Sequence, residues 1–102
     1  MDWFSVRNVY HFGTTETGDN IFEERVVCFK AKDFSDAHEK GKKESATYAL
    51  ENGFIAYDEQ LVYKQDGEEL IDCYEVWSEL FQSPLDLDSF YREHYLKHLY
   101  VP

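Results

Sequence analysis

Between Trp3 and Phe12 the side chains alternate in character. Phe4, Val6, Tyr10 and Phe12 share one parity, and Ser5, Arg7 and His11 the other, as in a strand with one face toward a core. Gly13 to Asn20 (GTTETGDN) is a run of turn formers and predicts an exposed hairpin loop longer than the tight two-residue kind. Ile21 to Ala31 is the returning strand. Its Val26, Val27, Cys28 and Phe29 form a nearly continuous apolar run, which predicts an interior strand covered on both faces for part of its length.

The period then lengthens. Phe34, Ala37, Gly41, Ser45, Tyr48 and Ala49 follow helical spacing, and the small residues among them let a helix lie close to a sheet. Asp33 is placed to cap its start and Asp36 to meet the positive helix end, while Asn52-Gly53 stops it. A helix over Phe34 to Glu51 would be roughly 27 Å long, enough to cross a small sheet. Phe54 to Lys64 returns to strand character, Asp66-Gly67 signals a two-residue turn, and Ile71 to Phe81 is expected as a fourth strand. Ser83-Pro84 ends it, and Asp86 or Asp88 opens a second helix through Phe90, Tyr91, Tyr95 and Leu96. The expected fold is a single α+β domain over residues 1–102: a four-stranded, mainly antiparallel sheet in the order ββαββα, with helices packed mainly on one face.

Composition narrows the function. Eighteen per cent aromatic residues mark a chain able to build a core rather than a disordered tail. The net charge of -11 argues against direct nucleic-acid binding, because holding phosphates requires Lys and Arg. It argues equally against an anionic membrane surface, and no apolar run approaches the ~20 residues of a membrane span. The Met1-Asp2-Trp3 start lacks the basic and apolar regions of a signal peptide, so a cytoplasmic location is expected. In that reducing compartment Cys28 and Cys73 are expected as free thiols within strands.

The acidic residues are unevenly placed. Residues 1–57 carry a balance of -3 and residues 58–102 a balance of -8. The excess gathers at Asp58, Glu59, Asp66, Glu68, Glu69, Asp72, Glu75 and Glu79. Such crowding destabilises the isolated chain by self-repulsion, and a basic protein partner offsets it and speeds encounter. On the expected fourth strand two registers are open. In one, Glu75, Trp77 and Glu79 face outward and form an interface centre, with the indole supplying area and the acids meeting Lys or Arg. In the other, Cys73, Trp77 and Phe81 belong to the core. Trp3 poses the same choice.

Recognisable catalytic chemistry is sparse. His94 and His98 stand four apart on the last helix, yet Glu93 precedes the first His where the zinc-protease pattern needs it to follow, and no third ligand accompanies them. Glu23 and Glu24 are adjacent on a strand and point to opposite faces, so they make no acid/base pair. No nucleophile elbow, phosphate-binding glycine loop or Cys-His signature is present. Neither an enzyme, nor a metal, nor a cofactor is expected.

The blocks Trp3-Phe4-Ser5-Val6-Arg7, Glu23-Glu24-Arg25-Val26-Val27, Phe34 with Ala37, and Glu75-Val76-Trp77-Ser78-Glu79-Leu80 resemble, in order and spacing, a bacterial family known as domain of unknown function 4288. The resemblance runs from Trp3 to about Tyr95 and implies a cytosolic α+β protein, with no catalytic residue to transfer. In size and acidity the chain also resembles the immunity proteins that neutralise toxin domains of rival bacteria. The expected function is therefore an immunity-type antitoxin that binds a basic toxin domain, with a nuclease the expected kind, through Asp58, Glu59, Asp66, Glu68, Glu69, Asp72, Glu75, Trp77 and Glu79. The alternative is a non-catalytic homodimeric module that pairs open sheet faces through Trp3 and Trp77.

Overall fold

In the computed structural model, which describes residues 1–67, 69–70, 72–73 and 75–101, the alternation of the first segment becomes a long strand, β1 (Asp2–Thr14). It pairs antiparallel with β2 (Asn20–Ala31), from Asp2 opposite Ala31 to Thr14 opposite Asn20. A register shift between His11 and Gly13 interrupts the alternation near its end. Phe4, Val6 and Tyr10 are almost fully buried, whereas Phe12, at the shift, is 45% exposed.

Helix α1 (Phe34–Asn52) crosses the face that carries Phe4, Val6 and Tyr10. The Asp33 carboxylate accepts the Asp36 N–H, and the Asp36 carboxylate in turn accepts the N–H of Lys32, so two otherwise orphan donors at the helix start are satisfied. Gly53 ends the helix with φ of 70°, a left-handed conformation that side chains with a Cβ resist. The buried stripe is Ala37, Gly41, Ser45 and Ala49, one residue per turn and all small. Phe4 meets the edge of Phe34 at 5.2 Å, and Tyr10 meets Tyr48 at 5.0 Å while donating its hydroxyl proton to Ser45. Phe4, Ala31 and Ala37 form the centre of the core, with Val62 packed against them.

The segment expected as one strand over Phe54 to Lys64 is two, β3 (Ile55–Ala56) and β4 (Leu61–Lys64), both antiparallel to β1 on the edge away from β2. Between Tyr10 opposite Ala56 and Arg7 opposite Leu61, three steps along β1 face five along its neighbour. The extra residues loop out because Gln60 turns toward α1: its amide donates to the His38 carbonyl oxygen at 2.8 Å and its Oε1 accepts from Asn8 at 3.1 Å.

The sheet thus has its four antiparallel strands, but not with the expected last member. After β4 the chain turns at Gly67 (φ 89°). Cys73 stands at φ 66°, which a regular strand does not accommodate, and the described residues of 71–81 form no ladder. Glu68, Ile71 and Tyr74 lie outside the described residues. Cys28 is a strand thiol as expected; Cys73 is an exposed thiol outside any strand.

The second helix, α2 (Leu87–Tyr91), is capped by Asp86, whose carboxylate accepts the Ser89 N–H, and it runs into a π-helical turn over Arg92–Leu96. Among the described residues it makes no contact with the sheet; its Phe90 and His94 pack instead against Phe81. The element order is ββαββα, and the class is α+β with α1 on one face of the sheet. No described helix is long and apolar enough to cross a membrane.

Candidate interaction surface

The face of β1 away from α1 carries Trp3, Ser5, Arg7 and Val9. A polar parity predicts exposure, yet Ser5 is fully buried. Two segments cover it. Gln65, itself 1% exposed, follows β4 and reaches across, its amide donating to Ser5 Oγ at 3.2 Å. The stretch around Val76 then straps over the same place, and the Ser5 hydroxyl donates to the Val76 carbonyl oxygen at 2.5 Å.

Arg7 fixes the next part of that strap. Its guanidinium donates to Glu79 Oε2 at 2.9 Å and lies 5.6 Å from the centre of the Trp77 ring. Trp77 also meets Tyr63 of β4, ring centres 5.9 Å apart. The indole is therefore half-buried against its own sheet, without belonging to a strand and without entering the core beneath α1. Both registers considered from the sequence presuppose a strand, and neither describes this placement.

The nine residues singled out from the sequence fall into two groups. Asp58 and Glu59 are exposed on the loop between β3 and β4. There they line an open groove of about 490 Å³ with Arg7, His38, Lys42 and Gln60. Asp66, Glu69, Asp72 and Glu75 are exposed beyond β4, with Trp77 and Glu79 closing the strap; Glu68 is outside the described residues. Arg7 joins the groups, since it lines the groove and holds Glu79.

Most of these carboxylates lack a direct ion pair, although Arg7 and Lys42 line the same groove as Asp58 and Glu59. Among the described residues, Asp58, Glu59, Asp66, Glu69, Asp72 and Glu75 form no ion pair. Of the other carboxylates, Asp2, Asp36, Glu44, Asp88 and Glu93 are paired, with Lys64, Lys40, Arg25, Arg92 and Lys97, so what sets residues 58–79 apart is the crowding of unpaired acids in one stretch of chain. In the groove the polar groups are mutually arranged. The His38 carbonyl oxygen can only accept, so the Gln60 amide must face it; the same amide, 3.1 Å from His38 Nδ1, leaves that nitrogen the acceptor.

A second polar cluster ties β2 to α1. Arg25 donates both terminal nitrogens to the Glu44 carboxylate, at 2.5 and 2.8 Å, and stacks 3.7 Å from the centre of Tyr48. The Glu44 hydrogen bonds hold the Arg25 proton more tightly than in a free guanidinium, against the opposing effect of burial. Tyr48 donates to Glu23 at 2.6 Å, and that bond, followed by burial, raises the phenol above its ordinary range. Sequence reasoning missed this cluster, although Glu23 and Arg25 share a parity on β2 and Glu44 and Tyr48 are one turn apart on α1. At the C-terminus His94 lies among Phe81, Phe90 and Tyr95, stacked on Phe90 at 5.4 Å.

Fold and surface together define a small α+β domain with an aromatic, Arg-anchored strap and a largely unpaired acidic side. The family profile described as Domain of unknown function (DUF4288) matches residues 3–87, and the chain belongs to that family. The matched region takes in the sheet, α1 and the strap, and reaches only the first residue of α2. Comparison with curated proteins and with solved structures returns no match.

Proposed function

We propose that this domain is a non-catalytic binding protein that meets a cationic protein surface with the carboxylates of residues 58–79. Its most specific form is an immunity-type antitoxin, acting in the cytoplasm and covering the phosphate-binding surface of a nuclease toxin. Such surfaces are rich in Lys and Arg because they hold nucleic acid, and a carboxylate-bearing surface complements them and accelerates encounter. The observation that carries the reading is that Asp58, Glu59, Asp66, Glu69, Asp72 and Glu75 are exposed and unpaired among the described residues, whereas Glu79 is committed to Arg7. Trp77 has one side occupied by Arg7 and Tyr63, which favours an acidic interface with an aromatic border over dimerisation through open aromatic faces.

The test is affinity capture from a native bacterial lysate, followed by titration of any recovered basic protein against wild type and an Asp72→Lys/Glu75→Lys variant. The reading expects a cationic partner whose association slows with added salt and is lost on charge reversal. Recovery of no basic protein, or a partner indifferent to the reversal, refutes it.

A further inference from the structure

In the strand order β2-β1-β3, with β4 also on β1, β2 is not the interior strand its apolar run predicts: among the described residues it is an edge along its 12 residues. Which of its backbone groups are free follows from bonds on the far side of β1. The Trp3 carbonyl accepts from Gln65 and the Val9 carbonyl from Tyr57, so odd-numbered residues of β1 address β3 and β4, and even-numbered residues address β2. Through the pairing of Phe4 with Phe29 and Val6 with Val27, odd residues of β2 bond to β1. Glu24, Val26, Cys28 and Lys30 therefore turn their N–H and C=O groups outward. An independent contact agrees: the Lys30 carbonyl accepts from Lys40 Nζ of α1 at 2.5 Å, which it does because the ladder does not use it.

We propose that β2 pairs antiparallel with β2 of a second copy, about a two-fold axis at Val27, to give a continuous sheet across a dimer. A two-fold axis normal to the sheet pairs even residues with even ones, so few registers are open, and charge selects among them. Centring on Glu24 or on Arg25 sets like charges face to face. Centring on Val26 puts Lys30 opposite Phe22, and centring on Cys28 puts it opposite Val26. Centring on Val27 places Glu24 opposite Lys30 of the partner subunit, twice by symmetry, with Val26 opposite the partner's Cys28. Glu24 and Lys30 are both exposed on the face away from α1, and neither forms an ion pair among the described residues. The register closes about eight main-chain hydrogen bonds. Lys40 guards this edge in the isolated chain, a common use of lysine beside an open strand; the Lys30 carbonyl has a second lone pair for the partner's N–H. Each copy carries a charge of -11, so association strengthens when salt screens the overall repulsion. The inference is independent of the acidic-surface reading, since Asp58 and Glu59 lie at the other edge and the strap is held on β1, leaving the outward groups of β2 to neither.

The experiment is light scattering and sedimentation equilibrium on the full chain over a concentration series, at low and moderate salt. Wild type is expected to dimerise, more tightly at moderate salt. Glu24→Lys should weaken the dimer by at least about tenfold, because two attractive cross-strand pairs become repulsive, and adding Lys30→Glu to that variant should restore it. Val26→Pro removes one outward N–H that the β1 ladder does not use; it should give a monomer with unchanged far-ultraviolet dichroism, since Pro is tolerated on an edge. A wild-type chain that stays monomeric overturns the proposal. So does a dimer indifferent to both Glu24→Lys and Val26→Pro, or a charge-swapped double variant no tighter than Glu24→Lys alone.

Discussion

Gly41 of α1 lies so close to Val6 of β1 that a Cβ on the glycine would stand 2.7 Å from Val6 Cγ1, with Gln60 Oε1 at 3.0 Å. The helix accepts a poor helix former in its interior because nothing larger fits between it and the strand. Gly41→Ala gains up to ~1 kcal/mol of helix propensity. It also forces a shift against a short, branched side chain, and overpacking of this kind costs about 1–3 kcal/mol. We expect net destabilisation in urea unfolding, and Val6→Ala, which costs stability alone, should cost less when added to Gly41→Ala because it makes room for the new methyl.

Gln60 makes three hydrogen bonds, two that hold the β3–β4 loop to His38 of α1 and one to Asn8 of β1, which is 7% exposed. Gln60→Ala leaves the Asn8 amide buried without its acceptor, at a cost of about 1–3 kcal/mol. Urea unfolding should register the loss, and hydrogen exchange should quicken around Tyr57, whose N–H bonds to Val9.

Alkaline pH should loosen the contact between α1 and β2. The Tyr48 phenol is raised above 10.0 chiefly by its bond to Glu23, so the folded state favours the protonated form. That contribution is fully present below pH 10.0 and disappears as pH rises through the higher folded value. Tyr48→Phe should lower stability at neutral pH and flatten its decline above pH 10, as followed by thermal melts. At the acid end the sign reverses. Asp36 is held below 3.8 first by the Lys32 N–H, and Asp86 first by the Ser89 N–H. Their contributions are present above about pH 3.8 and fade as pH falls through the lowered values.

The strap depends on Arg7. Arg7→Ala removes the ion pair with Glu79 and the cation beside Trp77, while the ladder bonds of β1 remain. We expect a folded sheet with a released strap: faster proteolysis near Trp77, increased Trp fluorescence quenching by acrylamide, and little change in the far-ultraviolet dichroism. Trp77→Ala should release the same strap. If Trp77 belonged to the principal core, that substitution would cost about 3–5 kcal/mol and unfold the chain at modest urea.

Local chemistry made the first half legible. The parity of Phe4, Val6 and Tyr10, the Asp33 cap, the small-residue stripe and the Gly53 stop each act within a few residues, and each stands where the pattern predicts. The second half is governed by contacts far apart in sequence. Tyr57 to Gln60 reads as strand, but the pull of His38 and Asn8 on Gln60 breaks it. Val76, Trp77 and Glu79 have strand-like spacing, yet their partners are Ser5 and Arg7 on a sheet face, joined across some 70 positions of chain. Nothing in the alternation of residues 71–81 reports the left-handed Cys73 that turns the chain away. Acidic composition marked the stretch 58–79 where carboxylates crowd; Arg7, which borders both groups, was inconspicuous because a single strand arginine carries no pattern.

The strand order has a consequence for multiplicity. β2 and the β3–β4 side lie on opposite margins of the sheet. Two chains joined at β2 would therefore present their anionic loops at the far ends of one rigid plate. A target with paired basic patches at that span would be gripped at both, and the second contact would form at the high effective concentration of a tethered ligand. A target with one patch would gain nothing from the pairing, so the ratio of its affinities for dimeric and Val26→Pro chains reports how many such patches it offers.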